Sequence, residues 1–271
     1  MKVASEFRLP PCARLPLRFP THDLQAAVAA LPASAWVTHF NTAYHSGGWS
    51  GVSLLAPQAS NHALSAGQGN DTRPPSATRW YGPFWQALLQ RLEMPVGCAR
   101  LLRLDAGSSI REHCDPDLGD PDGEVRLHIP ILTGPGVEFL LEGQVVPMAP
   151  GECWFLDLAR PHRVDNVSEQ ARVHLVIDAR RNDWLRRQIA AGLTDTPACQ
   201  PARSTLAFAE FRRQVERRPD LAAALCDLQD PREFCARAVA LGDGMGLRFQ
   251  DDDVRAAMRQ GRRAWLDQGS Y

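Results

Sequence analysis

The chain has 271 residues, 44% of them hydrophobic and 23% charged, with a formal net charge of −1. That length suits one large domain, or a medium domain with a small one, and the near-neutral balance supplies no field to draw in nucleic acid or anionic lipid. Seven cysteines without CxxC spacing, no apolar start of the secretory kind and no run long enough to span a membrane point to a cytoplasmic protein with reduced thiols.

Up to about residue 95 the chain is mixed. "HDLQAAVAALPASAW" predicts a helix from near Thr21 that Pro32 stops. "NTAYHSGGWSGVSLLAP" is a glycine-broken approach to a strand. "QASNHALSAGQGNDTRPPSATRW" is small, polar and proline-bearing, which predicts a long surface loop, and "GPFWQALLQRL" has helical apolar spacing.

From Val96 to Asp178 short apolar runs follow one another between turn residues: "CARLLRL", "VRLHIPIL", "VEFLLEG", "QVVPM", "ECWFLD" and "ARVHLVID". That rhythm predicts an all-β sandwich or barrel. Alternation along a strand puts Val125, Leu127, Ile129 and Ile131 on one face and Arg126 and His128 on the other. It likewise separates Val173, Leu175 and Ile177 from Arg172 and His174. Two strands with Arg and His on a common face fit a jelly-roll barrel whose mouth holds a polar ligand.

A facial non-haem Fe(II) site needs two imidazoles and a carboxylate on one side of the metal. His113-Cys114-Asp115 offers two ligands from one strand end, because residues i and i+2 point the same way. "ARPHRV" offers His162 as the third. Arg172 stands ten residues further on, where its planar fork could bind a distal carboxylate. An isolated His-x-Asp arises often by chance; the joint pattern on one β-rich segment is what argues for a metal. Cys114, between the two ligands, is expected to point away.

The residues "GGWSGV", "REHCD", "RLHIPI", "GECWFLD", "PHRVDN" and "ARVHLVID" make the segment from about Ala35 to Asp178 resemble the aspartyl/asparaginyl β-hydroxylase family of Fe(II)/2-oxoglutarate oxygenases. The resemblance implies a double-stranded β-helix within a domain spanning 1–195, with its core barrel at about 96–178. It implies that His113, Asp115 and His162 bind iron, that Arg172 binds the 2-oxoglutarate tail, and that Arg126 and His128 contact the co-substrate carboxylates. The acid at 115 matches the arrangement of the bacterial proline hydroxylases and implies hydroxylation rather than halogenation. The activity implied is O2-dependent hydroxylation of an unactivated C–H of an amino-acid residue, either free or within a peptide such as a ribosomal natural product. The competing reading is a non-catalytic module that senses 2-oxoglutarate or scaffolds a peptide; the complete ligand set argues for the enzyme.

Other features carry less. "DPDLGDPDGE" does not fit a calcium loop, since an Asp stands where position 6 requires Gly. It reads as a solvated turn whose Asp117, Asp120 and Asp122 could rim the mouth and favour a basic substrate. Trp49 and Tyr44 are candidate pocket walls, although an aromatic after a Gly pair is more often core. His174 could orient something beside Arg172.

After Asp178, "RNDWLRRQIAAGL" predicts a helix and "TDTPACQPARST" a linker. Residues 205–271 read as a small all-α domain. Asp230-Pro231-x-Glu233 is a helix start, and Gly242 is expected to end that helix. "FAEFRRQVERRPDLAAALCDLQDPREFCARAVALG" followed by "LRFQDDDV" resembles the leader-like domain of the Nif-eleven type. No modifiable tail follows, so the resemblance implies a domain that recruits or mimics a peptide-pathway partner. A plain helical cap on the barrel is the alternative.

Overall fold

The computed structural model describes residues 9–58, 62–67, 73–118 and 123–268. The chain divides into two compact units, Met1–Glu142 with Val146–Cys199 and Gly143–Val145 with Gln200–Tyr271.

In the first unit the principal strands are β1 (Cys12–Arg18), β2 (Trp49–Ala56), β3 (Val96–Leu104), β4 (Ser109–His113), β5 (Glu124–Leu132), β6 (Val137–Leu141), β7 (Glu152–Leu156), β8 (His162–Asn166) and β9 (Arg172–Arg180). One sheet runs β1-β7-β5-β9-β3-β2 and the other contains β6-β8-β4, with all these pairings antiparallel. From β3 to β9 successive strands pass alternately between the two sheets, which is the winding of a double-stranded β-helix.

Strand β1 was not legible in "CARLPLR", where Pro16 argues against a strand. It lies at the sheet edge, the one place where a missing backbone donor costs no ladder bond. "QVVPM" forms only a two-residue strand, Gln144–Val145.

The alternation read from sequence sets the packing. Val125, Leu127, Ile129 and Ile131 of β5 and Val173, Leu175 and Ile177 of β9 are buried in one apolar core. That core also holds residues of α1 (Thr21–Ala29), α2 (Pro83–Leu89) and α3 (Asp183–Gly192). Burying each such aliphatic side chain contributes roughly 1.5–3 kcal/mol. A second core, with Leu104, Ile110, Phe139, Trp154 and Val176 among its members, lies between the two sheets. Helix α3 starts at Asn182, whose side chain accepts from Leu185 N–H.

The second unit holds α4 (Arg203–Arg217), α5 (Pro219–Cys226), α6 (Pro231–Gly244) and α7 (Asp251–Gln268) around Phe211, Leu225, Cys235, Ala238, Phe249 and Val254. Asp230 caps α6 by accepting from Arg232 N–H. Gly242 does not end that helix, which continues to Gly244. Glycine is required there because a Cβ would meet the Phe249 ring at 2.3 Å. No helix among the described residues is long and apolar enough to cross a membrane.

Candidate metal centre and its cavity

His113 is the last residue of β4 and His162 the first of β8, and the two are Cα partners in the antiparallel register. Their ring centroids are 4.2 Å apart. Asp115 follows two residues after His113, held by a hydrogen bond from its N–H to the Leu158 carbonyl at 2.8 Å. One ligand atom from each of the three residues falls within 4.8 Å of the others.

Both imidazoles are oriented by the same device. Nδ1 of His113 lies 2.8 Å from the Arg111 carbonyl and Nδ1 of His162 lies 3.0 Å from the Arg160 carbonyl. A carbonyl accepts only, so each Nδ1 carries the proton and each Nε2 keeps its lone pair for a metal. Burial pushes the His162 imidazole down to about 4, with His113 adding to the effect, so it is neutral, as a ligand must be. Burial alone would raise the Asp115 carboxyl, but Arg126 and the two imidazoles more than reverse it, and the net direction is down.

The remaining polar residues come from the inward faces of β5, β9 and β3. Arg126 Nη1 bonds Asp115 Oδ2, and its Nε donates to Asp178 Oδ1 at 2.5 Å. Asp178 Oδ2 pairs with Arg100, whose Nη1 donates to the Leu64 carbonyl at 2.8 Å. Arg126 therefore spends two of its three nitrogens on carboxylates of the chain, a use that the sequence did not suggest.

Arg172 is 2% exposed and has no carboxylate partner among the described residues. Its Nη2 donates to His174 Nδ1 at 2.8 Å, and its Nε is buried without a partner. Burial pushes the guanidinium down to about 9, which still leaves it charged at neutral pH and in want of an anion. His128 and His174, with Nδ1 atoms 3.4 Å apart, are held neutral by burial and then by the Arg172 charge. Their Nε2 atoms are also buried without partners among the described residues.

A cavity of about 200 Å³ brings His113, Asp115, His162, Arg126, His128 and Arg172 together with Tyr44 and Trp49. Tyr44 is 41% exposed, with its ring 5.3 Å from that of His113. Trp49 is buried, stacked on His39 at 3.5 Å, and its indole N–H has no partner among the described residues. Sequence reasoning missed His39, Arg100, Phe139 and Asp178. Asp178 could have been found, because it continues the period-two face of Arg172 and His174; His39 and Phe139 carry no local signal. Cys114 is exposed. Asp117 is exposed and does not border the cavity, while Asp120 and Asp122 lie outside the described residues.

The donor set fits Fe(II): two imidazoles and one carboxylate converge, and a buried guanidinium with no carboxylate partner among the described residues shares their cavity. The sequence profile of the aspartyl/asparaginyl beta-hydroxylase family matches residues 23–182. An L-proline cis-4-hydroxylase of Rhizobium meliloti (strain 1021) is 34% identical over 83 residues, which is 31% of this chain and 29% of the relative's length. Among solved structures, a 2OG-Fe(II) oxygenase family oxidoreductase from Burkholderia pseudomallei aligns at 20% identity and TM-score 0.39, covering 60% of this chain and 79% of the other. A prolyl-4-hydroxylase from Pseudomonas putida aligns at 15% identity and TM-score 0.41, covering 64% and 93%. The profile match takes in more than half of the chain and both strand pairs that carry the site, and the chain belongs to the aspartyl/asparaginyl β-hydroxylase family.

Proposed function

We propose that the protein is an Fe(II)- and 2-oxoglutarate-dependent hydroxylase acting on an amino acid, either free or as a residue in a peptide. The observation that carries this reading is the convergence of His113, Asp115 and His162, with both Nδ1 atoms committed to backbone carbonyls. These three residues would hold the metal on one side. Arg172 would take the distal carboxylate of 2-oxoglutarate, with His174 fixing one of its nitrogens so that the rest of the fork is aimed. Arg126 and His128 border the same space and would meet the co-substrate carboxylates, Arg126 through the nitrogen left free by Asp115 and Asp178. Bound Fe(II) with 2-oxoglutarate and O2 would supply oxidation of an unactivated C–H, leaving succinate and CO2 as co-products.

The chain's own work is to position the substrate carbon and exclude water. Tyr44 and Trp49, which line the cavity, would do so as its walls. Its volume of about 200 Å³ is below the range of roughly 300–1,000 Å³ usual for drug-sized ligands. Such a space suits one small side chain or a free amino acid beside the co-substrate, in keeping with the L-proline named for the relative. The helical second unit would serve to recruit a peptide partner, and the cysteines, free among the described residues, would suit a reducing, cytoplasmic setting.

The test is a panel of free amino acids and peptides incubated with the protein, Fe(II), 2-oxoglutarate and O2. A product heavier by one oxygen atom, formed in step with succinate, is expected for at least one amino-acid substrate. No substrate-dependent succinate across the panel, with 2-oxoglutarate still bound, would favour the non-catalytic sensor instead.

A further inference from the structure

We infer that Asp178 is a positioning residue for the metal carboxylate, acting through Arg126 on both the orientation of Asp115 and the charge the metal ion meets. This rests on the reading of His113, Asp115 and His162 as ligands. Asp178 is wholly buried and does not border the cavity. It stands directly opposite Arg126 in the β9–β5 register, and Arg126 reaches from it to Asp115.

The geometry distinguishes the two oxygens of Asp115. Oδ2 is held by Arg126 Nη1, whereas Oδ1 is turned to the imidazole side, 3.9 Å from His113 Nε2. A carboxylate free to rotate would offer either oxygen. Here the guanidinium takes one and leaves the other for the metal, and the guanidinium is itself fixed by Asp178 at Nε. Asp178 is in turn anchored on its far side by Arg100. A ligand carboxylate held in this way by an outer partner is the arrangement whose loss costs roughly 10- to 100-fold in metal affinity.

Charge points the same way. The guanidiniums of Arg100, Arg126 and Arg172 border the cavity, and among the described residues the carboxylates paired with them are those of Asp115 and Asp178, with Glu124 acting on Arg100 and Arg126 from further off. These five groups sum to one positive charge before any metal arrives. Without Asp178 there would be two, and a divalent cation would enter against a stronger field.

The experiment is a Co(II) titration of the full chain without oxygen, reading the visible d–d absorption for both affinity and ligand geometry. Asp178→Asn keeps the size of the side chain and loses its charge. It should weaken Co(II) binding at least about tenfold and change the absorption envelope, with far-UV circular dichroism unchanged. Asp178→Glu should restore part of the affinity. Asp178→Asn combined with Arg100→Met, which restores the charge balance, should also bind better than Asp178→Asn alone. Wild-type affinity and spectrum in Asp178→Asn would overturn the inference, as would weak binding that neither second variant improves. If Asp178→Asn does not fold, Arg126→Lys tests the same contact. It keeps the charge but cannot bridge two carboxylates, so an unaltered Co(II) spectrum would again overturn the inference. Failure of the ligand reading looks different: wild type would not bind Co(II), or His162→Ala would bind it equally well.

Discussion

His113 and His162 face each other as partners across β4 and β8, each with Nδ1 turned back to the carbonyl two residues before it. Each ring is thus aimed by a backbone carbonyl of its own strand segment, a contact that removing the other ring leaves in place. His113→Ala or His162→Ala should abolish succinate formation from 2-oxoglutarate while the circular dichroism spectrum stays that of the folded protein. Wild-type turnover by either variant would remove the metal assignment. Asp115→Ala should keep a residual activity, since the two imidazoles still converge.

Arg172 is a buried cation whose hydrogen-bond partner is a neutral imidazole. Arg172→Lys keeps the charge and loses the fork, so one charge-assisted bond to the co-substrate disappears. That corresponds to roughly 1.5–3 kcal/mol, or about 10- to 100-fold weaker 2-oxoglutarate binding. Calorimetric titration of the Mn(II)-loaded protein checks this; an unchanged dissociation constant would move the anchor elsewhere.

How much of this was readable beforehand differs by residue. Period-two alternation separated Arg126 and His128 from Val125 and Leu127, because a half-buried strand obliges its side chains to alternate. The same rule put Arg172 on the inner face. What one strand cannot reveal is its neighbour. Arg126 meets Asp178 only because β5 lies beside β9 in a particular register, so the ion pair that occupies it was invisible in "RLH". His39 reaches the cavity through an irregular segment, where no periodicity exists to read. Gly242 was taken for a helix stop because glycine commonly serves so; its actual cause, the Phe249 ring, lies outside its helix.

Cys12 and Cys199 have their sulfur atoms 3.7 Å apart. The contact with Cys12 pulls the Cys199 thiol down, since a hydrogen bond to the thiolate favours the charged form. Burial instead pushes Cys98 up to about 11 and Cys153 up to about 12. Alkylation by iodoacetamide should therefore rise with pH and reach half its limiting rate at Cys199 at a lower pH than an ordinary thiol, well before Cys98 or Cys153 reacts. Cys12→Ala should move that midpoint upward, towards the ordinary thiol value of about 8.5. Peptide mass spectrometry over a pH series reads both; a Cys199 midpoint unaffected by Cys12→Ala would show that the contact does not govern it.

The second unit has its own apolar centre around Phe211 and Phe249. A chain ended before Arg203 should bind Co(II) and turn over 2-oxoglutarate slowly without substrate. On a peptide target it should lose kcat/KM while keeping kcat at saturation, because tethering raises effective concentration without entering the chemistry. Equal kcat/KM for full-length and shortened chains on every peptide tried would end the recruiting role.

The two histidine ligands come from one sheet and the arginines from the other. Side chains alternate with a period of two, so a slip of one residue in β8 would replace His162 with Arg163 at the ligand position, and one in β9 would present Val173 where Arg172 belongs. Either slipped conformer could remain compact and yet be chemically inert. Stoichiometric occupancy by a metal probe therefore counts the fraction of molecules whose strands have paired in the native register, which makes the site a proofreading readout of its own assembly.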